Sequence, residues 1–204
     1  YADPERLLTV YERSEDGALR VPSYPTFQDW QAQSVSVAGA VQSMAFVRGD
    51  GVLLPMPNGP ERGIAAYVTP GFFALLGTRP ILGRAFAPDE EVPGAPHVGI
   101  LSYEYFVKQF GADPSTIGRA VAIDSVPTTI IGVMPRAFAY PNFADPGSFL
   151  PPAVWQPIAV FEASHAALRL RGLHVDSRAL LRLRSGVDSA QAATVMKTVA
   201  LRLA

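Results

Sequence analysis

Between residues 98 and 138 the pattern of apolar and polar positions changes period three times without a gap. Residues 98–101 (VGIL) form a short apolar run that reads as a strand. Ser102 follows and suits a helix N-cap, its hydroxyl accepting a backbone N–H two or three residues on, with Glu104 well placed against the helix dipole. The helix is predicted to run to about Phe110, where Gly111 supplies a left-handed closing residue and Asp113-Pro114 a turn. Val121 and Ile123 then alternate with smaller residues. A turn is predicted near Ser125 and Val126, and residues 128–133 are a β-branched run that returns antiparallel. The stretch is a β-α-β-β unit of core formers, caps and turn makers, with Tyr103, Tyr105 and Lys108 expected on the helix surface.

Upstream, residues 7–11 read as a strand and residues 22–34 as a helix whose first turn holds Pro25. Phe27, Trp30 and Gln31 recur at helical spacing, so Trp30 is expected to anchor a core rather than stack on a ligand. Residues 37–54 approach period two, with turn residues at Arg48-Gly49-Asp50-Gly51, which predicts a β-hairpin. The Arg-Gly-Asp tripeptide is read as turn chemistry and not as an adhesion motif. A Pro/Gly loop at 55–63 leads to a strand at 64–68. Thr69 and Pro70 are then expected to open a short helix, 71–76, closed by Gly77.

Downstream, residues 139–157 hold five prolines with Phe149 and Trp155, and residues 159–173 read as a weakly patterned, mobile connection carrying His165. Residues 176–184 are predicted to be a strand with Ala179, Leu181 and Leu183 on one face. Arg178, Arg182 and Arg184 share the other, expected to be solvated rather than a binding surface. Asp188 with Gln191 makes a capping box, followed by Ala192, Met196, Val199 and Leu203 as one buried stripe.

Four ordered segments, LGRAF (82–86), VGILSYEYFVKQFG (98–111), DPSTIGRAVAID (113–124) and TTIIGVMPRAF (128–138), resemble the periplasmic core domain of MacB-type, FtsX-like ABC transporter permeases, and most closely their duplicated orphan members. The resemblance covers nearly the whole chain and is weakest over 139–173. It implies an α+β fold of two lobes: a discontinuous porter-like subdomain of split β-α-β character, residues 1–78 and 165–204, and an inserted β-rich, Sabre-like subdomain, residues 79–164. It also implies a strand ending in Trp-x-Pro, which residues 154–158 fit. In that family an Asp-Pro-x-x-Leu segment like residues 3–7 follows a first transmembrane helix, so Tyr1 would lie just outside a membrane.

Composition adds mostly exclusions. Seventeen Lys and Arg against 18 Asp and Glu leave a net charge of −1, so no basic field points to nucleic acid or anionic lipid. Cysteine is absent, which removes disulfides and thiolate metal sites. No apolar run approaches the roughly 20 residues that span a bilayer, and no signal pattern opens the chain. Because the first residue is not methionine, a soluble fragment of a longer protein is expected.

Candidate chemistry is sparse. His97, His165 and His174 are scattered, without an i, i+4 partner, and are expected in loops or at edges. Asp89-Glu90-Glu91 could attract a cation, but adjacent carboxylates before Pro-Gly read as a solvated loop. No nucleophile elbow, Walker loop or dinucleotide fingerprint is present. No catalytic, cofactor-binding or metal-ligating residue is therefore expected, and no cofactor.

The resemblance implies a non-catalytic, extracytoplasmic (periplasmic) domain of an inner-membrane ABC-type permease. It would lie between flanking transmembrane helices and couple their motion to a substrate or partner in efflux or mechanotransmission. Its partners would be the rest of the permease, a cytoplasmic ATPase and a periplasmic adaptor or substrate protein. The alternative is a free-standing binding module that uses a cleft between lobes and the aromatic residues Tyr140, Phe143 and Trp155. An enzyme ranks third.

Overall fold

A computed structural model describes residues 3–14, 17–37, 39–92, 94–138, 151–171 and 177–203. The elements run β1 (Leu7–Val10), β2 (Glu12–Arg13), β3 (Leu19–Arg20), α1 (Tyr24–Val37), β4 (Val41–Leu54), β5 (Glu61–Val68), α2 (Phe72–Leu75) and β6 (Leu82–Gly83). They continue with β7 (Val98–Leu101), α3 (Tyr103–Phe110), β8 (Ala120–Ile123), β9 (Val126–Val133), β10 (Val154–Pro157), α4 (Ile158–Ser164), β11 (Ser177–Leu183) and α5 (Ser189–Leu203). Among the described residues, nine strands make one mixed sheet in the order β1-β11-β4-β5-β10-β7-β9-β6, with β8 on β9; β2 and β3 form a separate hairpin. The fold is α+β.

The central unit forms as its sequence dictates. Ser102 Oγ accepts the Tyr105 N–H at 3.1 Å, and Gly111 closes α3 at φ 60°. β8 alternates exposed and buried residues, and β7 pairs parallel with β9. The turn falls at Asp124 and Ser125, φ 49° and 65°, one position earlier than predicted. Two left-handed residues make the turn whose twist matches the flanking strands. Tyr105 is buried rather than on the surface, because its hydroxyl donates to the Pro55 carbonyl at 2.8 Å.

The sheet carries apolar side chains on both faces. Val41, Met44, Phe46, Val52 and Leu54 of β4 join one cluster with Phe27, Trp30, Phe106, Phe161 and Val199; Ala45 and Val47 join the other with Phe72, Phe73, Ile131 and Trp155. Strands of 1–78 and 165–204 occupy one side of the sheet and strands of 79–164 the other. They are continuous, however, because β10 pairs parallel with β5 and antiparallel with β7. Both clusters draw on both sides. Separate cores for two lobes are therefore replaced by a shared sheet, since all four residues of β10 are buried and fill the seam.

Three further expectations are corrected. Residues 48–51 do not turn: β4 runs straight through them, with Gly49 opposite Ala66 and Gly51 opposite Ile64, and the connection comes at 55–60, where Gly59 has φ 112°. Pairing with β5 along residues 47–54, joined by β11 up to Arg48, outweighs the local turn preference. Thr69 does not cap α2; its hydroxyl accepts the Phe46 N–H at 3.1 Å and closes the end of a strand pair. Residues 159–173 begin with helix α4, held by buried Ile158, Phe161 and Leu168, followed by a 3-10 turn at Ala166–Arg169.

The arginine face of β11 is also corrected. Arg178 and Arg182 are buried, and only Arg184 is exposed. Arg182 Nε donates to the carbonyl of Leu75 at the end of α2, where helix carbonyls lack intrahelical partners. The capping box is as predicted: Asp188 Oδ1 accepts the Gln191 N–H at 2.8 Å and Gln191 Oε1 accepts the Asp188 N–H at 3.2 Å. Of the predicted stripe, Ala192 and Val199 are buried, Met196 is half-buried and Leu203 is exposed.

Candidate functional site

One groove, of about 740 Å³, lies where β10 begins. Leu54 and Met56 reach it from the end of β4, Ser102 and Tyr105 from the start of α3, and Phe138 and Trp155 from the other face of the sheet. Its charged lining residues are Glu61, Arg62, Glu104, Lys108 and Arg136. Lys108 Nζ lies 3.2 Å from Glu61 Oε2. Of the three aromatic residues proposed for a cleft, Trp155 lines this groove, in edge-on contact with Phe138 (5.4 Å) and Phe73 (6.0 Å). Tyr140 and Phe143 lie outside the described residues. Arg62, Arg136 and the strand end at Glu61 carry no motif, because the groove exists only through the mismatch in length between β5 and β10.

A second groove, of about 1120 Å³, lies among β1, the β2–β3 hairpin, α1 and α5, with Trp30, Leu19, Met196 and Leu203 in its wall. Trp30 itself is a buried core residue.

Among the described residues, His97 and His165 are not brought together. His97 precedes β7, and its carbonyl accepts the Thr129 N–H at 2.8 Å. His165 stacks on Phe161, ring centroids 3.9 Å apart, with Nδ1 3.0 Å from Ser164 Oγ. His174 lies outside the described residues. Among the described residues no group of three or more His, Cys, Asp or Glu could hold a metal.

The acidic run is only partly solvated: Asp89 is exposed, whereas Glu91 is half-buried. Glu90 is buried, its carboxylate gripped by Arg84 at 2.6 and 3.0 Å and by the Ala87 N–H at 2.7 Å. Burial works to raise the Glu90 pKa, but the Arg84 and Ala87 hydrogen bonds outweigh it and hold it below the usual range. Glu91 behaves oppositely: burial, reinforced by the charge of Glu162 on α4, pushes it up to about 7. Arg48 of the Arg-Gly-Asp tripeptide lies over the Phe161 ring at 4.5 Å, and Gly49 is buried. The tripeptide is a strand segment and not a displayed loop.

The described residues thus form an α+β domain with two surface grooves. The chain belongs to the MacB-like periplasmic core domain family, which it matches over residues 1–199. It is 29% identical over 186 residues to the macrolide export ATP-binding/permease protein MacB of Burkholderia thailandensis, covering 91% of this chain and 27% of that protein. The MacB of Burkholderia pseudomallei is 26% identical over 126 residues, 62% of this chain and 19% of that protein. The chain thus spans about a quarter of the length of the curated relatives it matches.

Solved structures share the fold. The periplasmic region of MacB from Actinobacillus actinomycetemcomitans superposes with a TM-score of 0.65 at 14% identity, covering 97% of this chain and 84% of that one. The extracellular domain of the noncanonic ABC-type transporter YknZ from Gram-positive bacteria gives 0.62 at 14% identity, covering 93% and 88%. The chain is an extracytoplasmic, periplasmic-type domain of a MacB/FtsX-like ABC transporter permease. No helix among the described residues is long and apolar enough to cross a membrane.

Proposed function

We propose that the domain is non-catalytic and couples the motion of transmembrane helices to the handling of a substrate or partner protein, in efflux or mechanotransmission. The observation that carries this is the pairing of β1 with β11, Leu7 opposite Arg182, at one edge of a sheet that continues unbroken to β6. Force applied to the segments leading into β1 and out of α5 would enter a close-packed body with both sheet faces covered, and pass through it instead of being absorbed at a hinge. In this reading residues 1–78 with 165–204 form the membrane-proximal, porter-like part and residues 79–164 the Sabre-like part that meets the partner. ATP hydrolysis, the flanking helices and a periplasmic adaptor or substrate protein belong to the rest of the permease.

The test uses the full-length permease. A short Gly-Ser-rich insertion between Arg6 and Leu7 replaces a stiff entry with a flexible one. ATP hydrolysis is expected to persist while transport falls; undiminished transport would overturn the coupling role. Alanine at His97, His165 and His174 together is expected to leave transport intact, and its loss without unfolding would overturn the non-catalytic role.

A further inference from the structure

Among the described residues, the groove at the start of β10 has an open strand edge. β10 registers with β5 only over residues 65–68, and the Ala153 N–H reaches the Ile64 carbonyl at 2.9 Å. β5 begins at Glu61, so residues 61–63 have β4 on one side and the groove on the other. Backbone groups alternate sides along a strand, so Arg62 turns its N–H and C=O the same way as Ile64. Beyond the reach of β10, those two groups meet no strand among the described residues.

Two other observations converge there. Trp155, only 2% exposed, lines the groove, and its indole N–H is shut off from solvent with no acceptor among the described residues, a costly state for a donor. Of the lining charges, Lys108 is held by Glu61, whereas Arg62 and Arg136 have no ion pair among the described residues and Glu104 is the other acid.

We propose that this groove takes an extended peptide segment of a partner protein, added as a strand to the free edge of β5 and carrying an acidic side chain that meets Arg62 or Arg136. The inference rests on the reading that the domain handles a partner, and adds the surface and the form in which the partner is held. A peptide main chain presents N–H and C=O groups at about 3.4 Å per residue, the spacing of the strand it joins. Its carbonyls also supply the acceptor that Trp155 lacks among the described residues. Leu54, Met56 and Phe138 give its alternate side chains apolar walls. A small apolar molecule would fill those walls but leave the Arg62 backbone unmet.

The probe is a synthetic peptide of about eight residues, the length of a strand, alternating valine and threonine and ending in two aspartates. Two controls carry N-methyl groups on the odd or on the even residues, blocking one edge each. Amide NMR on the chain reads binding at Arg62 and Gly63, and the Trp155 indole signal reports the same event. The plain peptide is expected to shift all three saturably. One N-methylated peptide should bind at least tenfold more weakly and the other nearly normally, and an Arg62→Ala, Arg136→Ala double variant should bind severalfold more weakly. Equal binding by all three peptides, or no shift by any, overturns the proposal. Neither result touches the Gly-Ser insertion experiment, so failure here and failure of the coupling role are told apart.

Discussion

Arg182 on β11 donates through Nε to the carbonyl oxygen of Leu75 on α2, across 107 positions of sequence. The bond ties the short helix to a strand near the other end of the chain and satisfies a helix carbonyl that would otherwise have no partner. Arg182→Ala leaves that carbonyl without its donor in a dry site and is expected to cost about 2–3 kcal/mol. Lysine keeps the charge but loses the planar guanidinium, so Arg182→Lys should fall between the two. Urea denaturation midpoints check both; an unchanged midpoint for the alanine variant would contradict the burial.

Ile131 and Phe138 face the same cluster, but Ile131 is buried and Phe138 is half-buried. Ile131→Ala is expected to cost about 2–4 kcal/mol and Phe138→Ala about 1–2 kcal/mol. Calorimetry reads the ordering, and the reverse order would show that the aromatic contacts of Phe138 with Phe73 and Trp155 matter more than burial.

Glu91 gives a pH signature. Its folded pKa, raised to about 7 by burial and then by Glu162, lies above its ordinary value of 4.5, so the folded state binds the proton more tightly than the unfolded one. Its favourable contribution is complete below about pH 4.5 and is lost as pH rises through 7. Glu91→Gln should remove that decline, leaving a flatter stability profile between pH 5 and 7. Glu90 has the opposite sign: its pKa is held down, so its contribution is present above the ordinary carboxylate range and is lost as pH falls. Thermal melts across pH on both glutamine variants separate the two, and identical profiles would contradict the assignment.

Two left-handed positions should respond in opposite directions. Gly83 has φ 70°, and a Cβ there would run into the Ile131 carbonyl, so Gly83→Ala is expected to cost at least about 2 kcal/mol. Ser125 has φ 65° at an exposed turn, so Ser125→Gly should add about 0.5 kcal/mol by relieving the left-handed penalty. Chemical denaturation of the pair checks the signs.

What could be read from the residues was local chemistry. Ser102 and Gly111 bound α3, Asp188 and Gln191 start α5, and the β-branched run becomes β9, because each depends on groups within a few residues of one another. The same neighbourhood misled where a distant strand intervened. The Arg48-Gly49-Asp50-Gly51 stretch has every mark of a turn, yet pairing with β5 extends it. Thr69 looks like a cap, yet the Phe46 N–H takes its hydroxyl. The groove was illegible for the same reason, since no motif records that β5 outruns β10.

The sequence by itself determined the element types in the central unit, the caps of α3 and α5 and, through its ordered segments, the family. Tertiary structure alone decided that β10 joins the two halves into one sheet, that the end of α2 meets Arg182 of β11, and that Arg62 and Trp155 share a groove. The difference is one of range: propensity and capping act within a turn or two of backbone, whereas strand order and burial depend on which distant surfaces exclude water together.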